Sequence, residues 1–270
     1  MSEIKSPLRY PGGKSRLVKT ISEISPKDFK EYREPFVGGG SVFLKIMQDY
    51  PGRTYWINDL YYDLFCFWDC CRVSGREIRL RVEELREKFG DDGKALHKYL
   101  VENIAGMEPV DKAAAFFILN RITFSGTSLS GGFSNAAFNT RFTDSSIDRM
   151  EDVSKFLQGK SLNITNMDFA KVLTGGNSDV FTFLDPPYYS ATDSALYGKN
   201  GELHKGFDHE RLAAELQHCK HRWLMTYDDC TYIRDLYKDF NIKEFELMYG
   251  MRNVSKDADM KGKEIFISNF

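Results

Sequence analysis

Hydrophobic and polar residues follow two rhythms along this chain: short β-prone apolar runs, and longer stretches with apolar positions three and four apart. Helical spacing runs from about Lys14 to Glu23 and from Ser41 to Asp49, with a strand expected near Arg33 to Val37 between them. Further strands are expected at Thr54 to Ile57 and Leu162 to Thr165, then at 180–184, 223–227, 242–249 and 264–269. Helices near 208–219 and 231–238 separate the later strands. This alternation predicts an α/β fold with a mainly parallel sheet and flanking helices. The last two strands lie close in sequence and predict an antiparallel hairpin at one edge. Between residues 60 and 160 the pattern changes, helical at first and then rich in Ser, Asn and Gly. That section is expected to be an inserted lobe (61–160) dividing a catalytic domain into 1–60 and 161–270. There is no internal repeat or low-complexity tract.

The run Val180-Phe-Thr-Phe-Leu-Asp-Pro-Pro-Tyr188 changes the picture from fold to chemistry. Proline has no amide donor, so Pro186 ends the strand and leaves Asp185 at its carboxyl end, where open α/β sheets bind ligands. The Asp185 carboxylate and the Pro186 carbonyl form two acceptors held side by side, with Pro187 stiffening the backbone beyond them. Such a pair suits a planar amino group with two N–H donors, and Tyr188 offers a face for a base. Accepting both hydrogens draws the nitrogen lone pair out of ring conjugation and makes it a nucleophile. In isolation, a strand ending in a proline turn with an N-capping Asp explains the motif equally well.

A second block, Glu34-Pro-Phe-Val-Gly-Gly-Gly-Ser-Val-Phe-Leu44, places three glycines between a strand and a helix. Glycine lets the backbone turn tightly and a ligand approach closely. The spacing departs from the G-x-G-x-x-G dinucleotide fingerprint. Asp59, at the end of the next strand, stands where an acid accepts ribose hydroxyls in nucleotide-binding α/β folds, so an adenosine-type ligand is expected. Pro11-Gly-Gly-Lys-Ser15 is not a P-loop, because Leu8 stands where the first glycine is needed and no strand precedes it.

Composition narrows the classes without deciding among them. The formal charge is −2, from 37 basic and 39 acidic residues, which argues against nonspecific coating of nucleic acid but not against a local basic face. The basic residues between 72 and 98 are interleaved with acids and are expected to form a solvated helical face. No apolar run reaches the roughly 20 residues of a membrane helix, and the first residues lack a secretory signal, so a cytoplasmic location and no membrane association are expected. The five cysteines are expected to be core thiols, with neither a disulfide framework nor a metal site.

Taken in order, these motifs resemble the Dam-type DNA adenine-N6 methyltransferases, the D12 class, in the α-group order. The resemblance is carried by Pro7-Leu-Arg-Tyr-Pro-Gly-Gly-Lys14, the Glu34–Leu44 block, Asp59, Asn166-Met-Asp168-Phe169 and Asp185-Pro-Pro-Tyr188. It continues through Phe207-Asp-His-Glu-Arg-Leu212, Trp223-Leu-Met-Thr-Tyr-Asp228 and Arg252 to Phe270. It implies a Rossmann-like S-adenosylmethionine-dependent methyltransferase fold, with a mixed seven-stranded sheet and an inserted, mainly helical target-recognition lobe. S-Adenosylmethionine is then the cofactor, S-adenosylhomocysteine the product, and no metal is implied. Glu34, Phe36, Gly38, Gly39, Gly40, Ser41 and Asp185 are expected along the cofactor, with Asp59 on its ribose and Asp168 and Phe169 on its adenine. Tyr10 and Lys14 are expected to close the site, although members often carry Trp-Ala where this chain has Tyr10-Pro11. Asp185, Pro186, Pro187 and Tyr188 are expected to hold a flipped adenine, and the loop from Tyr189 to Gly206 to close over it.

The resemblance further places duplex-DNA contacts at Arg9, Asn120, Arg121, Ser125, Phe133, Asn135, Asn139 and Arg141. Arginine reads guanine and asparagine reads adenine by bidentate contacts, though most such side chains meet phosphate. The insert lacks the Asn-Gly-Leu-Tyr-Arg style of segment found in GATC-specific members, so the target sequence stays open. So do a cognate restriction endonuclease, a phage role, a solitary regulatory role, and the choice between monomer and weak dimer. Amino-N4 cytosine methyltransferases, usually with Ser in place of Asp185, and RNA or protein methyltransferases, more often with Asn, are alternatives on the same fold. A catalytically dead DNA-binding module and a nicotinamide dehydrogenase fit less well, because Asp185 and the glycine block are intact and no dinucleotide fingerprint is present.

Overall fold

Backbone chemistry sets where the strands stop. The computed structural model describes residues 3–189, 206–245 and 264–270. Strand β1 (Glu31–Glu34) ends at Pro35, which cannot donate to a ladder, so it is shorter than the expected run to Val37. Strand β4 (Val180–Leu184) ends one residue before Asp185. The other strands are β2 (Thr54–Asn58), β3 (Leu162–Thr165), β5 (Arg222–Asp228), β6 (Asn241–Phe245) and β7 (Glu264–Ser268). They form one seven-stranded sheet in the order β3-β2-β1-β4-β5-β7-β6. The first five strands are parallel neighbours, while β7 is antiparallel to both β5 and β6. The mixed sheet and its antiparallel edge pair therefore stand as the sequence implied. Strand order reverses between β1 and β4, and the carboxyl ends of those two strands open the crevice where such sheets bind ligands.

Strands β4, β5 and β7 are buried on both faces, which is why apolar residues stand at successive positions in them rather than alternating. Phe181, Phe183, Leu224 and Phe266 belong to one core; Leu184, Trp223, Met225, Tyr227, Ile265 and Ile267 belong to the other. The first core runs without a break from the sheet into the helices that follow β2. These are α3 (Tyr62–Phe89), α4 (Gly93–Asn103), α5 (Pro109–Ile122), α6 (Asn135–Arg141) and α7 (Asp144–Leu157). Helix α5 is buried from Lys112 to Ile122 and acts as the hub of this section. Phe67 of α3 stacks on its Phe117 at 6.1 Å between ring centroids. Helix α3 kinks at Ser74 (φ −133°), and a Cβ on the neighbouring Gly75 would stand 2.1 Å from the Ser154 hydroxyl of α7.

The remaining helices are α1 (Val18–Ile24), α2 (Ser41–Asp49), α8 (Phe169–Leu173), α9 (His209–His218) and α10 (Thr231–Leu236). Helix α1 starts four residues later than its apolar spacing suggests. The chain first makes a turn in which the Leu17 amide donates to the Lys14 carbonyl at 2.8 Å. Of the expected features, residues 190–205 of the pocket-closing loop, positions 246–249 of one strand and 252–263 of the last matching segment lie outside the described residues. All five cysteines are free. No described helix is long and apolar enough to cross a membrane.

Candidate active site

A cavity of about 380 Å³ opens at the β1–β4 switch point. Its walls include Tyr10, Lys14, Glu34, Phe36, Gly38–Ser41, Asp59, Asp168, Phe169 and Asp185–Tyr188, so every cofactor and catalytic position named from the sequence meets there. The site has three parts.

The glycine loop forms the first. Gly38 (φ +47°) and Gly40 (φ +69°) adopt left-handed conformations that other residues resist. A Cβ on Gly39 would lie 2.7 Å from the Tyr10 Cβ, so Tyr10 packs directly on this loop. Asp59 fastens it: Oδ2 accepts from the Gly38 amide at 2.9 Å, and Oδ1 from the Tyr61 amide at 3.0 Å. Burial pushes the Asp59 carboxyl up to about 6, against the lowering effect of those amides. Glu34 is buried and accepts from the Tyr32 hydroxyl at 2.5 Å. Burial holds it well above the usual carboxylate range, the Tyr32 bond opposes this, and the nearby Asp185 and Asp59 add to it.

An aromatic slot forms the second part. Phe36, Phe169 and Phe207 lie 5.5–5.7 Å apart by ring centroid. Asp168 caps α8 and takes both prongs of the Arg211 guanidinium, at 2.9 and 2.6 Å. Hydrogen bonds from Arg211 hold its carboxyl below the usual range. Arg211 also lies over the Phe169 ring at 4.9 Å.

The third part is built around Asp185. Oδ1 receives the Lys14 ammonium at 2.9 Å and the Thr226 hydroxyl at 2.8 Å, so both donors converge on a single carboxylate oxygen. Lys14 is 6 % exposed, donates to the Gly12 carbonyl at 2.7 Å and lies 4.7 Å from the Tyr188 ring centroid. Tyr188 stacks on Tyr227 and donates its hydroxyl to Glu264 Oε2 at 3.0 Å. Burial pushes that hydroxyl well above its ordinary pKa.

The expected DNA contacts divide. Asn120 is fully buried: its amide donates to the Arg9 and Gly126 carbonyls at 2.6 and 2.9 Å and its oxygen accepts from the Arg9 amide at 2.8 Å. It is a clasp between the amino-terminal segment and the insert, with no surface left for a base, which corrects the expectation. Phe133 is half-buried, pairs with Thr123 in a β-bridge and packs on His97 and Phe138. Ser125 (φ +51°), Asn135, Asn139 and Arg141 are exposed. Arg9, Arg121 and Arg141 do come together, joined by Arg149 of α7. Burial, then the charges of Arg149, Arg9 and Arg141, push the Arg121 guanidinium down to about 10. None of the four makes an ion pair among the described residues, and buried nitrogens of Arg9 and Arg121 lack hydrogen-bond partners.

Sequence reasoning missed Thr226, Glu264 and Arg211 as individuals, although all three lie in segments that carried the resemblance. It also missed Arg149 and Phe124, which at 64 % exposure stands beside Ser125 in the insert. Among the described residues no group of three or more His, Cys, Asp or Glu is arranged to hold a metal.

Comparison with known proteins accords with this geometry. The chain is 25 % identical over 282 residues to the type II methyltransferase M1.LlaDCHI of Lactococcus lactis subsp. cremoris, covering 97 % of this chain and 94 % of that protein. It is 28 % identical over 301 residues to the type II methyltransferase M.MjaIII of Methanocaldococcus jannaschii, covering 99 % and 100 %. A DNA adenine methylase of Haemophilus influenzae is 24 % identical over 268 residues, covering 95 % and 90 %. The D12 class N6 adenine-specific DNA methyltransferase family matches residues 10–251, and this chain belongs to that family.

Proposed function

We propose that this protein transfers a methyl group from S-adenosylmethionine to the N6 amine of an adenine flipped out of duplex DNA. The observation that carries this reading is Asp185, which ends a buried strand with two donors on Oδ1 and neither on Oδ2. The cofactor's sulfonium supplies an electrophilic methyl. The cavity volume lies in the roughly 300–1,000 Å³ range of small-molecule sites, and its parts fit that group. Gly38 to Ser41 face the methionine portion, Asp59 accepts the ribose hydroxyls, and Phe169 stacks on the adenine beside Asp168. Asp185 Oδ2 and the Pro186 carbonyl accept the two N–H bonds of the target amine, and Pro187 and Tyr188 wall its pocket. Flipping the base costs a few kcal/mol, offset by such stacking and hydrogen bonds. The helical section between β2 and β3 serves as the target-recognition lobe on a catalytic domain formed by 1–60 and 161–270.

Incubating the protein with labelled S-adenosylmethionine and mixed-sequence duplex DNA tests the reading. Label recovered as N6-methyladenine supports it; label in N4-methylcytosine, or none in DNA while cofactor binds, refutes the base or the substrate.

Two further results are expected. The four clustered guanidiniums repel one another, and a phosphate backbone relieves that repulsion. Arg141→Ala should therefore weaken DNA binding for all sequences alike and reduce the magnitude of the log K versus log salt slope by about 0.9. Equal salt slopes for the two proteins would remove Arg141 from the phosphate contacts. Asp59 supplies the second. Ribose hydroxyls favour its charged form, and protonation below about 6 takes an acceptor away. Cofactor affinity, measured by calorimetry, should fall about tenfold for each pH unit below that point. In Asp59→Asn it should be weaker and flat over the same range; a retained pH dependence would assign the titration elsewhere.

A further inference from the structure

The antiparallel ladder between β5 and β7 sets Asp228 directly opposite Glu264. Like charges in that position are ordinarily destabilising. Asp185 adds a third acid nearby: it and Asp228 raise the Glu264 carboxyl, after burial as the main cause, while Lys14 and Tyr188 lower it. The side chain of Glu264 is 14 % exposed, with the Lys14 ammonium 3.9 Å from Oε2 and the Tyr188 hydroxyl 3.0 Å from the same atom. A carboxyl buried at such a position, opposite another acid and bonded to the Tyr188 hydroxyl, points to a use beyond packing.

We propose that Glu264 is a positioning residue for methyl transfer, acting through the Tyr188 hydroxyl. This rests on the adenine-methylation reading above. Tyr188 follows Asp185 by three residues; its ring stacks on Tyr227 at 5.7 Å with the Lys14 ammonium 4.7 Å from its centroid, and its hydroxyl is held by Glu264. Stacking alone leaves a ring free to slide and tilt in its plane; the second attachment removes that freedom. The plane on which a base rests is thereby set relative to Asp185 and the Pro186 carbonyl. In-line displacement at a methyl group demands this alignment, and a misplacement of about 1 Å costs up to about 100-fold in rate. The hydrogen bond joins the segment that follows β4 to β7, two strands away in the sheet, although 76 residues separate the partners. Glu264 touches neither substrate nor cofactor, so its effect should fall on turnover rather than binding.

Steady-state kinetics on duplex DNA, with calorimetric cofactor titration, test this. Glu264→Ala and Tyr188→Phe should each lower kcat about 30-fold, with cofactor affinity and the KM for DNA within about twofold of wild type. The double variant should be no slower than the worse single variant. Glu264→Gln, which keeps an acceptor for the hydroxyl, should recover about tenfold of the alanine loss. Losses that multiply in the double variant, or a Glu264→Ala kcat within twofold of wild type, would overturn the proposal. Should the alanine variant fail to fold, Tyr188→Phe decides alone, and a wild-type kcat there overturns it. The wild-type control separates the two levels: inactivity on DNA sinks the methylation reading and this inference with it, whereas variant-to-wild-type ratios bear on Glu264 alone.

Discussion

Asp185→Ala should abolish methyl transfer, with turnover reduced at least about 1,000-fold while S-adenosylmethionine still binds within about threefold of wild type. The asymmetry of the carboxylate is the reason. Lys14 and Thr226 both bond Oδ1, which anchors the group and leaves Oδ2 for the reacting amine. The anchor is rigid because Thr226 lies within β5, the parallel neighbour of β4. Removing the carboxylate removes the acceptor that concentrates the nitrogen lone pair. It leaves the glycine loop, Asp59 and the aromatic slot in place, so cofactor binding should survive. One side effect must be separated from the chemistry. The Lys14 side chain is 4 % exposed and loses its nearest anion, keeping only Glu264 at 3.9 Å, so the variant should also lose stability. Asp185→Asn preserves shape and one acceptor, and should be nearly as inactive but more stable than the alanine variant. Single-turnover labelling of DNA gives the rate, and calorimetry gives cofactor affinity. A variant that turns over within tenfold of wild type would remove Asp185 from the chemistry.

Much of this site was legible in the sequence because proline and glycine act locally. Pro186 stops one strand, and the three glycines between β1 and α2 announce a tight loop; those features locate the crevice, although Pro35 also stops β1 before the expected Val37. Asp59 was legible for a similar reason, as an acid at a strand end. Lys14 shows where local reasoning stops. Its neighbours have helical spacing, yet it sits in a turn that sends its ammonium to Asp185, 171 positions away in the sequence. Nothing in nearby residues encodes such a pair. Asn120 failed in the opposite sense: the residue type suits base reading, but its amide closes a long-range clasp on Arg9, and burial cannot be read from residue type. Arg149 escaped because it joins the other arginines only when α7 packs against the rest of the insert. The fold was easier than the site because a sheet is specified by many repeated apolar positions, whereas each polar contact depends on one distant partner.

Gly40→Ala should produce the largest loss of stability among single-methyl changes at the site, about 2–5 kcal/mol. Two costs combine. Gly40 caps α2 at φ +69°, a conformation that costs a residue with a Cβ roughly 1–2 kcal/mol. The added methyl would also stand 2.5 Å from Phe43 Cε1 and 2.5 Å from Trp68 Cζ2, in a core where both rings are fully buried. Overpacking of that kind costs roughly a further 1–3 kcal/mol. The damage should reach the cofactor, because the indole that must move also donates to the Gly38 carbonyl at 3.0 Å. Displacing Trp68 loosens the loop that Asp59 holds from its other side. Gly52→Ala is the control: its φ is +81°, but no atom lies within 4 Å of the added methyl, so only the conformational cost applies. Urea unfolding should show a lower midpoint for both variants at unchanged slope, with the Gly40 variant falling further. Only that variant should lose affinity for S-adenosylmethionine. Equal midpoints would mean that Phe43 and Trp68 yield without cost, and the loop would then owe its shape to backbone conformation rather than to the core beneath it.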